Sequence, residues 1–382
     1  MDAALERVRE LAATTSGASR QQLAVELYRL AHSLEDSETI VHRFGYLHLQ
    51  TAAVKIGFDL GLFKLLSASK DSLEAGQIAD MLGGDKALIG RYLRYLVSIG
   101  VIDKVGEVGY AANHTTRLLT ERVAESGISH CFQTCAPEFQ ALPAFLKRTA
   151  YENPSDEMNT VFQFANNTTG HQFEWFKDHP QELAYFNDFM ASRRKPSLSW
   201  LSVYPVEKET AGLTDPSRAV YVNMGGGIGH QCAEFKTAFP SIPGRVILQD
   251  LPHTIAEALQ TVGVENMGHD FFAPQPIKGA KFYFVRGVCH NHPDHKVRRL
   301  LEQVKDAMAS DSVLLLDELV LPSGEVSAYG AGLDLTMMSA FAGAERDETQ
   351  WRSLIEEAGL KLVKDYDYNP LGYERVMEVR LP

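Results

Sequence analysis

A glycine-rich segment between a strand-like run and a helix-like run places the strongest constraint on the fold of this chain. The apolar run AVYVNM (219–224) leads into GGGIG (225–229), which has four glycines in five positions. Glycine permits a sharp turn and the close approach of a ligand to the backbone. The N-terminus of the following helix points its positive end at the same place. Asp250 ends the next strand-like run, RVILQD, where a carboxylate can accept both hydroxyls of a ribose.

The glycine turn departs from the pattern that binds dinucleotides. Gly225 and Gly227 occupy the first two positions of G-x-G-x-x-G, but the third position is His230. A turn without the pyrophosphate geometry suits a cofactor that has a ribose and no phosphates, namely S-adenosyl-L-methionine. Asp270 and Phe271, in the segment HDFF after a third strand-like run, could bind and stack an adenine.

Strand-like and helix-like runs alternate from about residue 218, which predicts a doubly wound, Rossmann-like α/β sheet. A chain of 382 residues is too long for one ordinary domain. We expect a helical arm with a winged-helix-like dimerisation domain (1–118), a helical linker that forms a pocket wall (119–200), and a Rossmann-like catalytic domain that binds S-adenosylmethionine (201–382).

The N-terminal part contains two informative patterns. Residues 46–66 are apolar around most of a helix surface, so this helix should be buried against other elements of the chain or against a second subunit. We expect a homodimer formed through the N-terminal helices. Residues 72–118 follow the helix–turn–helix–two-strand order of a winged helix. Its second helix carries Arg91 and Arg94 on an otherwise apolar face, which is not typical of a helix that binds a DNA groove.

The composition limits the possible partners and location. There are 37 Lys and Arg residues against 49 Asp and Glu residues, a net charge of −12, which argues against nucleic acid or an anionic membrane as the main partner. The start of the chain lacks the apolar run of a signal peptide, and a cytoplasmic location is expected. Cys131 and Cys135 have no second matching pair, so no metal site is predicted.

Several motifs occur together in one order: GGGIG, RVILQDLP, GHDFF, VRGVCHNHPD, DELVLP and AGAERDETQW. With them the chain resembles the small-molecule O-methyltransferases of the plant caffeic-acid type and, more closely, their fungal relatives in secondary metabolism. The resemblance implies a small natural product as the substrate, and it places two groups of residues. The cofactor would be bound by Gly225, Gly227, Asp250, Asp270, Phe271 and Arg286. Phe186 and Met190 would approach the sulfur of the cofactor and the methyl acceptor. Met337, within the segment 330–345, is expected to contact the substrate.

The same resemblance indicates a catalytic base. Methyl transfer to oxygen requires a base beside a hydroxyl, held in orientation by a carboxylate. His290 matches the base of the family, and Glu318 and Glu345 match its orienting carboxylates.

Three residues depart from the pattern of the family. Asn223 replaces an aspartate before the glycines and removes one carboxylate near the cofactor. Asn291 and His292 replace the Asp-Trp that follows the base, which changes the wall of the pocket.

These departures keep a second activity open. The leporin-type pericyclases share the fold and retain the cofactor, but they catalyse dehydration and Diels–Alder-type reactions on polyketide-type pyridones. The segment GISHCFQTCAPEFQALPAFL resembles theirs, and His130 falls at their substrate-binding histidine. Their Arg-Asp pair corresponds to His290 and Asn291, so His130, His290 and Asn291 would then bind the substrate. Arg193 or Arg194 would supply a further cation.

Overall fold

The computed structural model describes residues 1–192 and 199–382. These residues form two compact units, Met1–Phe132 and Gln133–Pro382. The predicted division into three parts, at residues 118 and 200, stays a prediction. The described residues include no helix that is long and apolar enough to cross a membrane.

The first unit is mainly helical. Its helices are α1 (Asp2–Thr14), α2 (Gly17–Ser33), α3 (Ser37–Gly45), α4 (Leu47–Asp59), α5 (Leu62–Ala68), α6 (Ala75–Leu82), α7 (Lys86–Ser98), α8 (His114–Leu118) and α9 (Arg122–His130). A small antiparallel sheet has the order β1 (Leu73–Glu74), β3 (Gly109–Ala111), β2 (Asp103–Val105). Its core is built by α4 to α7 and includes Phe63, Ile78 and Leu93.

The helix predicted over 46–66 is broken. It ends at Asp59, and a new helix begins at Leu62 after Gly61 adopts a positive φ of 70°. Glycine permits this left-handed conformation, and an apolar pattern alone does not reveal the break. Among the described residues of the single chain, Leu47, Leu49 and Ile56 of α4 remain 46%, 48% and 45% exposed.

The second unit contains the large sheet and the helices around it. Its helices are α10 (Ala136–Arg148), α11 (Val161–Asn166), α12 (Gln172–Trp175), α13 (Pro180–Ser192), α14 (Val206–Thr210), α15 (His230–Ala238), α16 (Pro252–Ala256), α17 (Asp294–Lys305), α18 (Ala328–Phe341) and α19 (Glu348–Glu357). Its strands are β4 (Ala219–Met224), β5 (Arg245–Asp250), β6 (Val264–Gly268), β7 (Phe282–Arg286), β8 (Val313–Leu321), β9 (Arg346–Asp347), β10 (Lys361–Asn369) and β11 (Glu374–Arg380).

The strand order is β10-β11-β8-β7-β4-β5-β6, with β9 paired to β8. Strands β6, β5, β4, β7 and β8 are parallel, and β10 and β11 are antiparallel. The chain leaves β4 toward β5 and β6, then returns to the other side of β4 with β7. This reversal is the point where open α/β sheets bind their ligands, beyond the carboxyl ends of the strands.

The centre of the sheet is buried on both faces, because β4, β7 and β8 are buried at almost every position. Alternate residues of β7 belong to different clusters: Tyr283 and Val285 pack on one face, and Phe282 and Phe284 on the other. The predicted fold class, a Rossmann-like α/β domain with a helical N-terminal region, is confirmed.

Candidate active site

Most of the residues predicted for the cofactor and the base follow the carboxyl ends of four neighbouring parallel strands. The glycine turn follows β4, Asp250 ends β5, Asp270 and Phe271 follow β6, and His290 follows β7. Because the carboxyl ends of parallel strands meet at one edge of the sheet, the fold brings these segments together.

The glycine turn has the shape of a cradle. Gly225 and Gly227 have φ values of 64° and 59°, which disfavour other residues. A β-carbon at Gly225 would lie 2.8 Å from Cγ2 of Val288 and 3.3 Å from Cε1 of Phe271, so the turn packs directly on both. The backbone N–H of Gly227 donates to Oδ2 of Asp250 over 2.8 Å. A hydrogen bond therefore connects the glycine turn to the acidic end of β5.

Polar atoms fit the remainder of the cofactor prediction. Asp250 uses its Oδ1 to accept from the N–H of Leu251, and Asp270 uses its Oδ1 to accept from the N–H of Phe272. The ring of Phe271 meets that of Phe272 edge-on, with centroids 4.7 Å apart. The carboxylate of Asp250 suits the hydroxyls of a ribose, and Asp270 with the ring of Phe271 suits an adenine. The glycine turn, at the N-terminus of α15, lets a ligand approach the backbone closely.

Arg286 lies deeper than the other predicted cofactor residues. Its side chain is buried, and its Nε lies 3.0 Å from Oδ2 of Asp317 on the neighbouring strand β8. Asp317 also accepts from the hydroxyl of Tyr368 over 2.6 Å. The pKa of this hydroxyl is raised, mainly by burial and then by the charge of Asp317. Arg286 therefore neutralises a buried carboxylate beneath the site.

A buried His–Glu pair lies beyond the end of β7. Nδ1 of His290 lies 2.6 Å from Oε1 of Glu345, and both side chains are buried. This contact joins residues separated by 55 positions along the chain. A carboxylate at Nδ1 favours the tautomer that carries a proton on Nδ1 and a lone pair on Nε2.

Glu318 contacts the backbone of the same turn. Its Oε1 accepts from the N–H groups of Val288 over 3.0 Å and Cys289 over 2.8 Å. Burial raises the pKa of Glu318, while the charge of His290 acts to lower it. Glu318 thus fixes the two residues that precede His290.

Two residues missed by the sequence analysis hold the turn from the other side. Gly343 lies so close that a β-carbon there would be 2.0 Å from the carbonyl oxygen of His290. The next residue, Ala344, donates its N–H to that oxygen over 3.1 Å. This close approach places Glu345 beside the imidazole ring. The only sequence signal was a glycine in the segment AGAERDE.

Arg346 is the second missed residue. It is 1% exposed. Its guanidinium donates to the carbonyl oxygens of Cys289 over 3.1 Å and His292 over 2.8 Å, and also to Oδ1 of Asp294. The arginine therefore forms hydrogen bonds to the backbone on both sides of His290. Its place in the sequence, between Glu345 and Asp347, suggests only that it balances their charges.

The departures Asn223 and His292 both lie at this edge. Nδ2 of Asn223 would come within 2.4 Å of a β-carbon at Gly226, so the amide supports the glycine turn from below. His292 meets Phe271 edge-on, and its Nδ1 lies 3.2 Å from Oε2 of Glu157. The hydrogen bond to His292 is the largest of the effects that lower the pKa of Glu157 to about 2.

Asn291, the third departure, is partly exposed and ends a short 3₁₀ segment, Cys289–Asn291.

An aromatic cluster joins two of the predicted substrate residues. Phe173, which the sequence analysis missed, packs edge-on to Phe186 of α13 at 5.9 Å and stacks on Phe341 of α18 at 5.3 Å. Met337 belongs to the same cluster. Met190 lies one turn after Phe186 on α13 and is partly buried. Arg193 and Arg194 lie outside the described residues.

His130 belongs to the first unit and ends α9. It is buried, and burial lowers its pKa to about 4, so the imidazole is neutral at pH 7. Within residues 1–192 and 199–382, no group of three or more His, Cys, Asp or Glu side chains could hold a metal ion.

Comparisons with known proteins establish the family. A model of the O-methyltransferase domain matches residues 152–361. O-methyltransferase ucdC of Aspergillus ustus is 38% identical over 97% of each chain. A solved structure of a pericyclic reaction enzyme is 35% identical, with a TM-score of 0.90 over 100% of this chain and 99% of that chain. The structure of LepI in complex with SAM is also 35% identical, with a TM-score of 0.91 over 100% and 98%.

The chain belongs to the O-methyltransferase family. The family resemblance and the predicted enzyme class are thereby confirmed, and so is the cofactor of the family, S-adenosylmethionine. The roles of individual residues stay predictions.

Proposed function

We propose that this enzyme transfers a methyl group to a phenol or enol oxygen of a fungal-type natural product, with His290 as the general base. The observation that carries the proposal is the buried contact between Nδ1 of His290 and Oε1 of Glu345, 2.6 Å long, beyond the carboxyl end of β7. A base held by a carboxylate is what deprotonation of a hydroxyl requires.

Each residue around the turn has a role in this proposal. Glu345 holds Nδ1 and stabilises the imidazolium that forms when Nε2 takes the proton of the substrate hydroxyl. Glu318 orients His290 indirectly, through the two backbone N–H groups that it binds. Phe186, Met190 and Met337 supply apolar surface for the acceptor, which excludes water from the reacting oxygen.

The cofactor would be held by Gly225, Gly227, Asp250, Asp270 and Phe271. When bound, S-adenosylmethionine supplies an electrophilic methyl group. The glycine turn leaves room for its amino-acid end, Asp250 accepts from the ribose hydroxyls, and Asp270 with Phe271 binds the adenine. Arg286 supports this edge through its ion pair with Asp317.

Replacing Asp250 with alanine is expected to weaken the binding of S-adenosylhomocysteine by about 1.5–3 kcal/mol. The variant loses an acceptor for the ribose and also the group that fixes the N–H of Gly227. Isothermal titration calorimetry measures the change, and Asp71→Ala, at an exposed position in the first unit, is the control. Equal affinities of the wild type and Asp250→Ala would contradict this assignment.

A pericyclase is the second candidate function. It is favoured by the similarity to a pericyclic reaction enzyme and by Asn291 and His292, which replace the Asp-Trp of the methyltransferase pattern. In this alternative the cofactor stays intact, and His130, His290 and Asn291 bind the substrate, with Arg193 or Arg194 as a further cation.

One assay separates the two functions. The enzyme is incubated with methyl-labelled S-adenosylmethionine and the metabolite that accumulates when its gene is deleted from the producing strain. A methyltransferase labels the product and forms one S-adenosylhomocysteine for each turnover. A pericyclase gives an unlabelled product of equal mass, or lighter by one water, and consumes no cofactor. An unlabelled product would therefore contradict our first proposal. In a pericyclase, His130→Ala should be at least as damaging as His290→Ala.

The N-terminal helices support a homodimer, and we expect light scattering at micromolar concentration to give twice the mass of the chain. Helices α1 to α3, which the structure describes in full, contain no buried side chain. Leu30 and Phe44 are 60% and 58% exposed. Apolar surface of this extent needs a partner. Phe44→Glu should give a monomer, and Val262→Glu, at an exposed position of the second unit, should not. A monomeric wild type would contradict the proposal.

The acidic charge supports a small molecule rather than nucleic acid or a membrane surface as the partner, and a cytoplasmic location remains part of this proposal.

A further inference from the structure

Helix α10 carries a carboxyl group at a position where its pattern calls for an apolar residue. The buried stripe of this helix runs through Glu138 and Phe145, with Ala141 and Leu142 half-buried between them. Phe145 is 1% exposed and packs on Phe164 of α11 with ring centroids 5.9 Å apart. Glu138, on the same stripe, is also 1% exposed, whereas the adjacent Phe139 is 41% exposed. The polarity of these two neighbours is therefore inverted.

The buried carboxyl group has no hydrogen-bond partner for either oxygen among the described residues. The hydroxyl of Thr134, one turn earlier and also buried, has none there either. A buried polar group without a partner is costly and calls for an explanation, such as a bound water or a ligand. Thr134 and Glu138 are thus two buried polar groups one turn apart whose hydrogen-bonding capacity the described residues do not use.

The surroundings of α10 connect these two groups to the catalytic turn. Helix α10 packs against α11 and α18, and α18 packs against the 3₁₀ segment Cys289–Asn291. The hydroxyl of Thr160, at the start of α11, donates to the carbonyl oxygen of Ala340 in α18 over 3.2 Å. Met337 and Phe341, on α18, belong to the aromatic cluster described above. Helix α18 thus contacts both α10 and the segment that carries the proposed base.

Burial raises the pKa of Glu138 to about 8. The group is therefore mostly a neutral carboxylic acid at pH 7, with one O–H donor and one C=O acceptor. A partner that satisfies both must present an acceptor beside a donor. A lactam has this arrangement, and so does an enolised carbonyl beside a hydroxyl.

We propose that Glu138 is a substrate-binding acid that donates a hydrogen bond to a carbonyl oxygen of the substrate and accepts one from its adjacent N–H or O–H, with Thr134 as a second polar contact. The inference rests on the proposed function only in taking the small-molecule substrate as the occupant beside α10 and α18. It holds for methyl transfer and for a pericyclic reaction alike.

The test compares Glu138→Leu, Glu138→Gln and the control Glu356→Leu, which changes an exposed position of α19. Without substrate, Glu138→Leu should raise the melting temperature by about 2–4 °C, because it removes a buried group that lacks a partner. Its affinity for S-adenosylhomocysteine should be that of the wild type. Its affinity for the metabolite that accumulates on gene deletion should fall by about 10- to 100-fold. Glu138→Gln should recover part of this loss, since an amide also donates and accepts.

Infrared difference spectroscopy distinguishes substrate binding by Glu138 from a purely structural role, because a structural carboxyl group would not respond to the metabolite. The wild type should show a carbonyl band of a protonated carboxyl that Glu138→Gln lacks, and this band should shift when the metabolite binds. A lower melting temperature of Glu138→Leu, with unchanged affinity for the metabolite, would mean that the carboxyl is held by structural water and would overturn the proposal. So would a carboxyl band that does not respond to the metabolite. Because affinity is measured with S-adenosylhomocysteine present, neither result depends on whether a methyl group is transferred.

Discussion

Replacing His290 with alanine is expected to lower the rate of methyl transfer by about 10²–10⁴-fold, the contribution typical of a general base. The variant removes the imidazole that takes the proton of the acceptor hydroxyl. It leaves Asp250, Asp270 and the glycine turn unchanged, so S-adenosylhomocysteine should bind with the affinity of the wild type. The rate is measured as labelled product formed at saturating cofactor.

Two further variants make the result specific. His295→Ala changes a histidine five residues downstream that is exposed on α17, and it should retain the rate of the wild type. Glu345→Gln keeps the shape of the partner of His290 but removes the charge that stabilises the imidazolium, so an intermediate loss is expected. A rate for His290→Ala comparable to that of the wild type would show that His290 is not the base.

The layout of the sheet could be predicted from the sequence because its signals are local. The apolar strand β4 leads directly into the glycine turn, and one helix separates this turn from the acidic end of β5. This order determines where the segments meet. The same local signals located Asp250 and Phe271. In contrast, the break between α4 and α5 occurs at Gly61, a single residue within a continuous apolar pattern, so the pattern does not reveal it.

The side-chain contacts of the site could not be predicted in the same way. The pairing of His290 with Glu345 joins positions far apart in the chain, and only the family resemblance connected them in advance. The positions of Gly343 and Arg346 against the His290 turn depend on how α18 ends, and no composition or periodicity encodes this. Glu138 gave no signal either, because a glutamate next to a phenylalanine on a helix is normally the exposed member of the pair.

Arg346→Met is expected to lower the free energy of unfolding of the second unit by about 3 kcal/mol. Methionine fills part of the volume but donates no hydrogen bond. The buried carbonyl oxygens of Cys289 and His292 would lose the guanidinium that now contacts both. Asp294 contributes less to this cost, because its side chain is 67% exposed and water can solvate its charge. Differential scanning calorimetry measures the change.

The matched control is Arg352→Met. Arg352 lies six residues away on α19 and forms an exposed i,i+4 ion pair with Glu348, which contributes only about 0.3–0.5 kcal/mol. Arg346→Lys should lower the free energy of unfolding almost as much as Arg346→Met. A single ammonium group cannot donate to both carbonyl oxygens in the way that the planar guanidinium does. If Arg346→Met had the same melting temperature as Arg352→Met, the hydrogen bonds of Arg346 would not be what stabilises the His290 turn, and the prediction would be wrong. Since both carbonyls flank His290, the destabilised variant should also lose methyl transfer at temperatures where it is still folded.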